Sequence, residues 1–143
     1  MLLKNKVVII SGIGPGLGVK LAVEAAREGA HVAIAARSAA GLENAERHMK
    51  EVAPDCRILK QPTDITDRDQ CRQLVMATEA HFGRIDGLVN SAFYHGNFES
   101  IETADLDDWR KCFDTNVIGT MTMTLRFDTE DSAIVLDALG KLA

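Results

Sequence analysis

Tyrosine and tryptophan each occur once in this sequence, as Tyr94 and Trp109, and cysteine and proline three times each. Cys56, Cys71 and Cys112 are odd in number and form no C-x-x-C pair, which argues against a disulfide framework and fits a reducing, cytoplasmic setting. His31, His48, His81 and His95 show no H-x-x-x-H spacing, so no metal site is expected. Long apolar runs are missing: a stretch such as Val7-Val8-Ile9-Ile10 is far too short to span a bilayer, so no membrane association is expected. The N-terminus does not read as a signal peptide, because a Gly-rich turn follows four apolar residues where an h-region would continue. Positive charge is also short. The 16 Lys+Arg against 21 Asp+Glu leave a formal charge of -5, which excludes a generally basic nucleic-acid-binding surface.

What is present is the composition of one soluble domain. Of 143 residues 46% are hydrophobic and 26% charged, enough for a core without disulfides or metals. Val7–Ile10 is a short β-branched run ended by Ser11-Gly12, a strand buried on both faces. From Leu17 the period becomes helical, with Leu17, Leu21, Ala22 and Ala25 on one face and Gly29 as the stop. His31–Ala36 reads as a second strand, Leu42–Val52 as a helix stopped by Pro54, and Cys56–Lys60 as a third strand. Thr66 looks like an N-cap, with Asp67 and Asp69 in the first turn and Cys71, Leu74, Val75, Thr78 and Phe82 as a buried stripe. Gly83 ends that helix and Ile85–Asn90 is a fourth strand. Asp105, Asp107 and Asp108 open a helix carrying Trp109, Cys112 and Phe113. A further helix is expected from about Asn116 to Leu125, and Ser132–Leu136 as a fifth strand. Strands alternating with helices predict an α/β fold, a Rossmann-like doubly wound parallel sheet of four or five strands in the order 3-2-1-4 with the fifth beside the fourth. The whole chain, 1–143, reads as one such domain, and the pattern thins only from Arg126 onward.

The turn Ser11-Gly12-Ile13-Gly14-Pro15-Gly16-Leu17-Gly18 lies between the first strand and the first helix. Glycines here let backbone N–H groups approach a pyrophosphate, and the helix N-terminus favours the anion. A strict G-x-G-x-x-G fails, because its third glycine would fall on Leu17. A P-loop fails because Lys20 follows Val19 and precedes Leu21. The pattern that fits is [Ser/Thr]-G-x-x-x-G-x-G through Gly12, Gly16 and Gly18.

On these residues the chain resembles the classical short-chain dehydrogenase/reductase family, over about residues 6–124. Asp64 in Thr63-Asp64-Ile65-Thr66 matches the family's aspartate near the adenine ring. Asn90-Ser91-Ala92-Phe93 stands where the family has N-N-A-G, with Ser91 and Phe93 as departures. Asn116 in Thr115-Asn116-Val117-Ile118-Gly119 matches the catalytic-site asparagine. The resemblance implies a nicotinamide dinucleotide held by Ser11, Gly12, Gly14, Gly16, Leu17, Gly18, Asp64, Ile65, Asn90, Ser91 and Ala92. It also implies a small alcohol or carbonyl substrate and self-association through the helix of Asn116, with Met121, Met123 and Leu125 as apolar contacts. The choice of dinucleotide is read from charge. No acid lies between His31 and Leu42, and Arg37 follows the second strand, where a guanidinium suits a 2′-phosphate; NADP(H) is expected, with NAD(H) possible.

In the family a Tyr, tuned by a Lys four residues later and aided by a Ser, moves the proton. Here the residue four after Tyr94 is Phe98, and the expected exit of the fifth strand, Asp137-Ala138-Leu139-Gly140, holds no Ser. The expectation is oxidoreductase ancestry with the cofactor-binding half present and weak or no turnover. Two alternatives stay open: a non-enzymatic nucleotide- or partner-binding module, and a truncated product whose stretch 126–143 is a shortened element, a frameshifted end or an alternative terminus.

Overall fold

Every residue of β1 (Val7–Ser11) is buried, which requires a central strand covered on both faces. The computed structural model describes residues 1–127 and the backbone of 134–137. After β1 come α1 (Leu17–Arg27), β2 (His31–Ala36), α2 (Ala39–Val52), β3 (Ile58–Pro62), α3 (Arg68–Phe82) and β4 (Gly87–Asn90). Then follow α4 (Leu106–Phe113), a π-helical turn (Asp114–Gly119), α5 (Thr120–Phe127) and β5 (Ile134–Asp137). Among the described residues the five strands form one parallel sheet in the order β3-β2-β1-β4-β5, the order expected from the sequence.

Side chains alternate across a strand, so the sheet carries two cores. Val8 and Ile10 of β1 join Ala22, Ala25 and Ala26 of α1 and Leu42, Ala45 and Met49 of α2 on one face. Ile9 joins Cys71, Leu74 and Val75 of α3 and Met123 and Phe127 of α5 on the other. β1 and β4 are neighbours whose following helices leave to opposite faces, which opens a crevice beyond their carboxyl ends.

Several boundaries differ from expectation for local reasons. Leu17 is exposed, and the buried face of α1 is Gly18, Ala22, Ala25 and Ala26. β3 starts at Ile58, because Cys56 is turned inward with its thiol donating to the Ala30 carbonyl at 3.2 Å. β4 starts at Gly87, and Asp86 just before it is clamped to β1, its N–H donating to the Val7 carbonyl and its carboxylate accepting the Val7 N–H, each at 2.8 Å. Asp67, not Thr66, caps α3, accepting from the Asp69 and Gln70 N–H groups. Thr66 instead donates to Asp64. The helix expected from Asn116 is the continuation of α4 through the π-helical turn. Met123 is fully buried and so offers no surface for self-association. β5 begins at Ile134; Ser132 and Ala133 of the expected strand, and Ala138–Gly140 of its exit, lie outside the described residues.

Candidate functional site

The turn after β1 is pinned at its base. The Gly12 and Ile13 N–H groups donate to the Ala35 carbonyl at 2.8 and 3.0 Å, tying it to β2. Gly12 has φ +86°, and a Cβ there would overlap the Ala92 backbone nitrogen, so the exits of β1 and β4 touch backbone to backbone. A Cβ on Gly18 would likewise overlap the Gly12 carbonyl oxygen, which is how α1 seats against the turn. Gly14 and Gly16 differ: a Cβ at either meets nothing within 4 Å. Their absent side chains leave open space. Gly16 also caps α1 without a side-chain bond and no acid follows in the first turn, so unpaired N–H groups and the positive end of the helix dipole face that space.

The space is a cleft of about 620 Å³ along the carboxyl ends of the strands. Gly12, Gly14, Gly16, Leu17 and Gly18 line it from the turn, and Arg37 from the exit of β2. Asp64 and Ile65 line it from β3, and Ser91 and Ala92 from β4. The Asp64 carboxylate is held at the rim by Thr66, whose N–H and hydroxyl donate to Oδ1 at 2.9 and 2.7 Å. Ser11 and Asn90 lie beneath this floor. Both are buried, and the Ser11 hydroxyl reaches Asn90 Oδ1 at 3.4 Å while Asn90 Nδ2 donates to Thr124 Oγ1 at 3.2 Å. Their side chains tie β1, β4 and α5 together and do not face the cleft.

Asn116 does not line the cleft either; it holds the loop that does. Its Nδ2 donates to the Tyr94 carbonyl at 2.9 Å and its Oδ1 accepts the Tyr94 N–H at 2.8 Å. A second anchor is Asp108, which is 8% exposed and accepts the Tyr94 hydroxyl and the Asn97 N–H, each at 2.7 Å. Gly96, at φ +68°, passes so close that a Cβ would lie 2.8 Å from Asp108 Oδ2. The Asn97 N–H and the Tyr94 hydroxyl hold the Asp108 carboxyl below its ordinary range, and the same bond raises the Tyr94 phenol. That direction is opposite to what a proton-transferring tyrosine needs.

Sequence reasoning missed Lys111 and Thr115 as lining residues. Lys111 sits near the end of α4 and Thr115 in the π-helical turn, just before Asn116. Phe93 and His95 also line the cleft, Phe93 standing where the family has a glycine and remaining largely exposed.

The sequence profile of the family described as "short chain dehydrogenase" matches residues 6–130. Levodione reductase from Leifsonia aquatica is 36% identical over 115 residues, 80% of this chain and 43% of that protein. 11-beta-hydroxysteroid dehydrogenase A from Sesamum indicum is 36% identical over 126 residues, 84% of this chain and 34% of that protein. A crystal structure of levodione reductase superposes with a TM-score of 0.90 at 33% identity, covering 94% of this chain and 54% of the other. The chain thus spans about half the length, or less, of these relatives. Strand order, glycine-lined cleft and profile agree, and the chain belongs to the short-chain dehydrogenase family of NAD(P)-dependent oxidoreductases.

Proposed function

We propose that these residues form the dinucleotide-binding half of an oxidoreductase that interconverts a small alcohol and carbonyl compound, with NADP(H) preferred over NAD(H). The carrying observation is the open space at Gly14 and Gly16, bounded by the unpaired first-turn N–H groups of α1. It is a cradle that side chains would fill, and it suits a pyrophosphate. When bound, the nicotinamide supplies or takes the hydride. The residues of this chain do the holding. The α1 N-terminus takes the pyrophosphate and Arg37 the 2′-phosphate. Asp64 and Ile65 border the adenine, and the Ser91–Ala92 backbone borders the nicotinamide-side ribose. Buried Ser11 and Asn90 support this floor, and Asn116 fixes the loop above it.

Among the described residues, the single tyrosine is not set up for proton transfer. Tyr94 is committed to Asp108 and has Phe98 where a lysine would tune it. A missing general acid/base costs about 10²–10⁴-fold in rate. We therefore expect residues 1–143 to bind dinucleotide with weak or no turnover, in keeping with a nucleotide-binding module. A cytoplasmic setting agrees with the free thiols, and no helix among the described residues is long and apolar enough to cross a membrane.

Calorimetry tests the reading. NADPH and NADH should both bind, Gly16→Val should weaken both at least about tenfold, and Arg37→Asp should weaken NADPH more than NADH. An unchanged affinity in Gly16→Val overturns the cleft assignment, and equal losses in Arg37→Asp overturn the 2′-phosphate role. Nicotinamide absorbance against a panel of alcohols and ketones should stay flat. Turnover that vanishes in Tyr94→Phe would mean an active site rebuilt around that residue.

A further inference from the structure

We propose that the aromatic loop after β4 selects an aryl substrate: an aromatic ketone, or the corresponding secondary alcohol, whose ring packs against Phe93 and the Tyr94–His95 stack. The place of that ring, beside the nicotinamide end of the cleft, rests on the dinucleotide reading above.

The chain has five phenylalanines, one tyrosine and one tryptophan. Three of these, Phe93, Tyr94 and Phe98, fall together with His95 in the segment Phe93-Tyr94-His95-Gly96-Asn97-Phe98, which holds no aliphatic side chain. Phe93, Tyr94 and His95 line the cleft directly after Ser91 and Ala92. Their planes are aligned. Tyr94 and His95 stack with centroids 6.1 Å apart and 14° between planes, and His95 and Phe98 with 5.4 Å and 5°. The loop thus offers the cleft a set of ring faces and edges in one orientation. That set is fixed before any ligand arrives. Asn116 holds the Tyr94 backbone through two bonds, and Asp108 holds the Tyr94 hydroxyl and the Asn97 N–H. His95 Nδ1 donates to the Gly96 carbonyl at 2.6 Å, which orients the imidazole. One face of Tyr94 is taken by the Lys111 ammonium, 5.1 Å from the ring centre. Rings held in this way lose little freedom when a ligand docks. Phe93 is 58% exposed and Phe98 92%, and neither belongs to the two cores, so burial in the fold does not account for them. An aryl ring docking here leaves water and also gains offset-stacked or edge-to-face contacts, whereas a saturated ring of the same size gains only the first effect.

The test titrates acetophenone and cyclohexyl methyl ketone, which share a skeleton and differ in aromaticity, into the isotope-labelled chain with and without NADPH. Binding is followed by amide chemical shifts, and NADPH affinity is measured separately by calorimetry. Wild type should bind acetophenone about three- to tenfold more tightly than the saturated ketone. The shifts should centre on Phe93–Phe98. Phe93→Leu keeps apolar bulk at an exposed position, so circular dichroism should show it folded. It should remove most of the preference while changing affinity for the saturated ketone and NADPH less than about twofold. Equal affinities in wild type, no binding of acetophenone, or equal losses for both ketones in Phe93→Leu overturn the proposal. A double variant, Phe93→Leu with Phe98→Leu, that loses self-association in sedimentation while keeping the preference also overturns it, because the rings would then serve a second copy of the chain. If NADPH binds and the preference is missing, the aryl assignment alone falls. If the preference is present and NADPH does not bind, the dinucleotide reading falls and the aryl preference stands.

Discussion

Glycine has two distinct uses in the turn between β1 and α1, and substitution should separate them. Gly12 is held at positive φ against the Ala92 backbone, so Gly12→Ala meets both a conformational and a steric penalty. It should lower stability by about 2–4 kcal/mol in urea denaturation. Gly16 faces open space, so Gly16→Val should leave the urea midpoint nearly unchanged while dinucleotide affinity falls. A variant pair with the opposite pattern would reverse the assignment of the two roles. The sequence pattern made both glycines visible but not this division. Whether a missing Cβ leaves room for a neighbour or for a ligand depends on the path of β4, which lies far along the chain.

At the scale of elements, the loop from β4 to α4 is held by side chains more than by backbone pairing. Asn116→Ala removes both bonds to Tyr94 and should cost about 1–3 kcal/mol. It should also speed amide hydrogen exchange at Tyr94 and Asn97 while leaving β1 and β2 protected. Unchanged exchange there would show that Asp108 suffices alone. The opposite end of the sheet has its own staple, where Asp86 accepts from the Val7 N–H, Lys6 and Arg84. Burial pushes its carboxyl up, but the bonds from Arg84, Val7 and Lys6 outweigh that and set it below its ordinary value of 3.8. A group lowered in the folded state stabilises fully above its unfolded pKa and loses that effect as pH falls through the folded value. Wild type should therefore lose stability on acidification in a window starting near 3.8 and running downward, and Asp86→Asn should lack that component of the loss. Matching acid profiles would show that the staple is energetically silent. These elements were legible to different degrees. The β-branched runs and the Gly83 stop announced their elements in the sequence. The inward turn of Asp108 was hidden among three acids at a helix start, since which one faces the loop depends on where Gly96 and Asn97 pass. The π-helical turn was hidden too, because an added backbone residue leaves no mark in composition.

At the scale of the described residues, the outer face of α4, the π-helical turn and α5 is apolar and exposed. Trp109, Phe113, Val117, Ile118, Met121 and Leu125 are all exposed, Leu125 by 70%. We expect a patch of this kind, on a chain that buries two cores elsewhere, to act as a contact surface between copies. Sedimentation velocity should show association that grows with concentration and is removed by Phe113→Glu combined with Met121→Glu. A monomer at all concentrations would count against it. The π-helical turn has a consequence for how this rod can change. One extra residue rotates everything downstream by about 100° relative to a regular helix. That angular offset lets Asn116 address the loop while Met123 and Phe127 still address the core. Deleting a residue between Asp114 and Gly119 would regularise the helix and force a choice between the two alignments. Length in this segment is thus under tighter constraint than identity, and a shortened rod would keep either its grip on the cleft or its seat on the sheet.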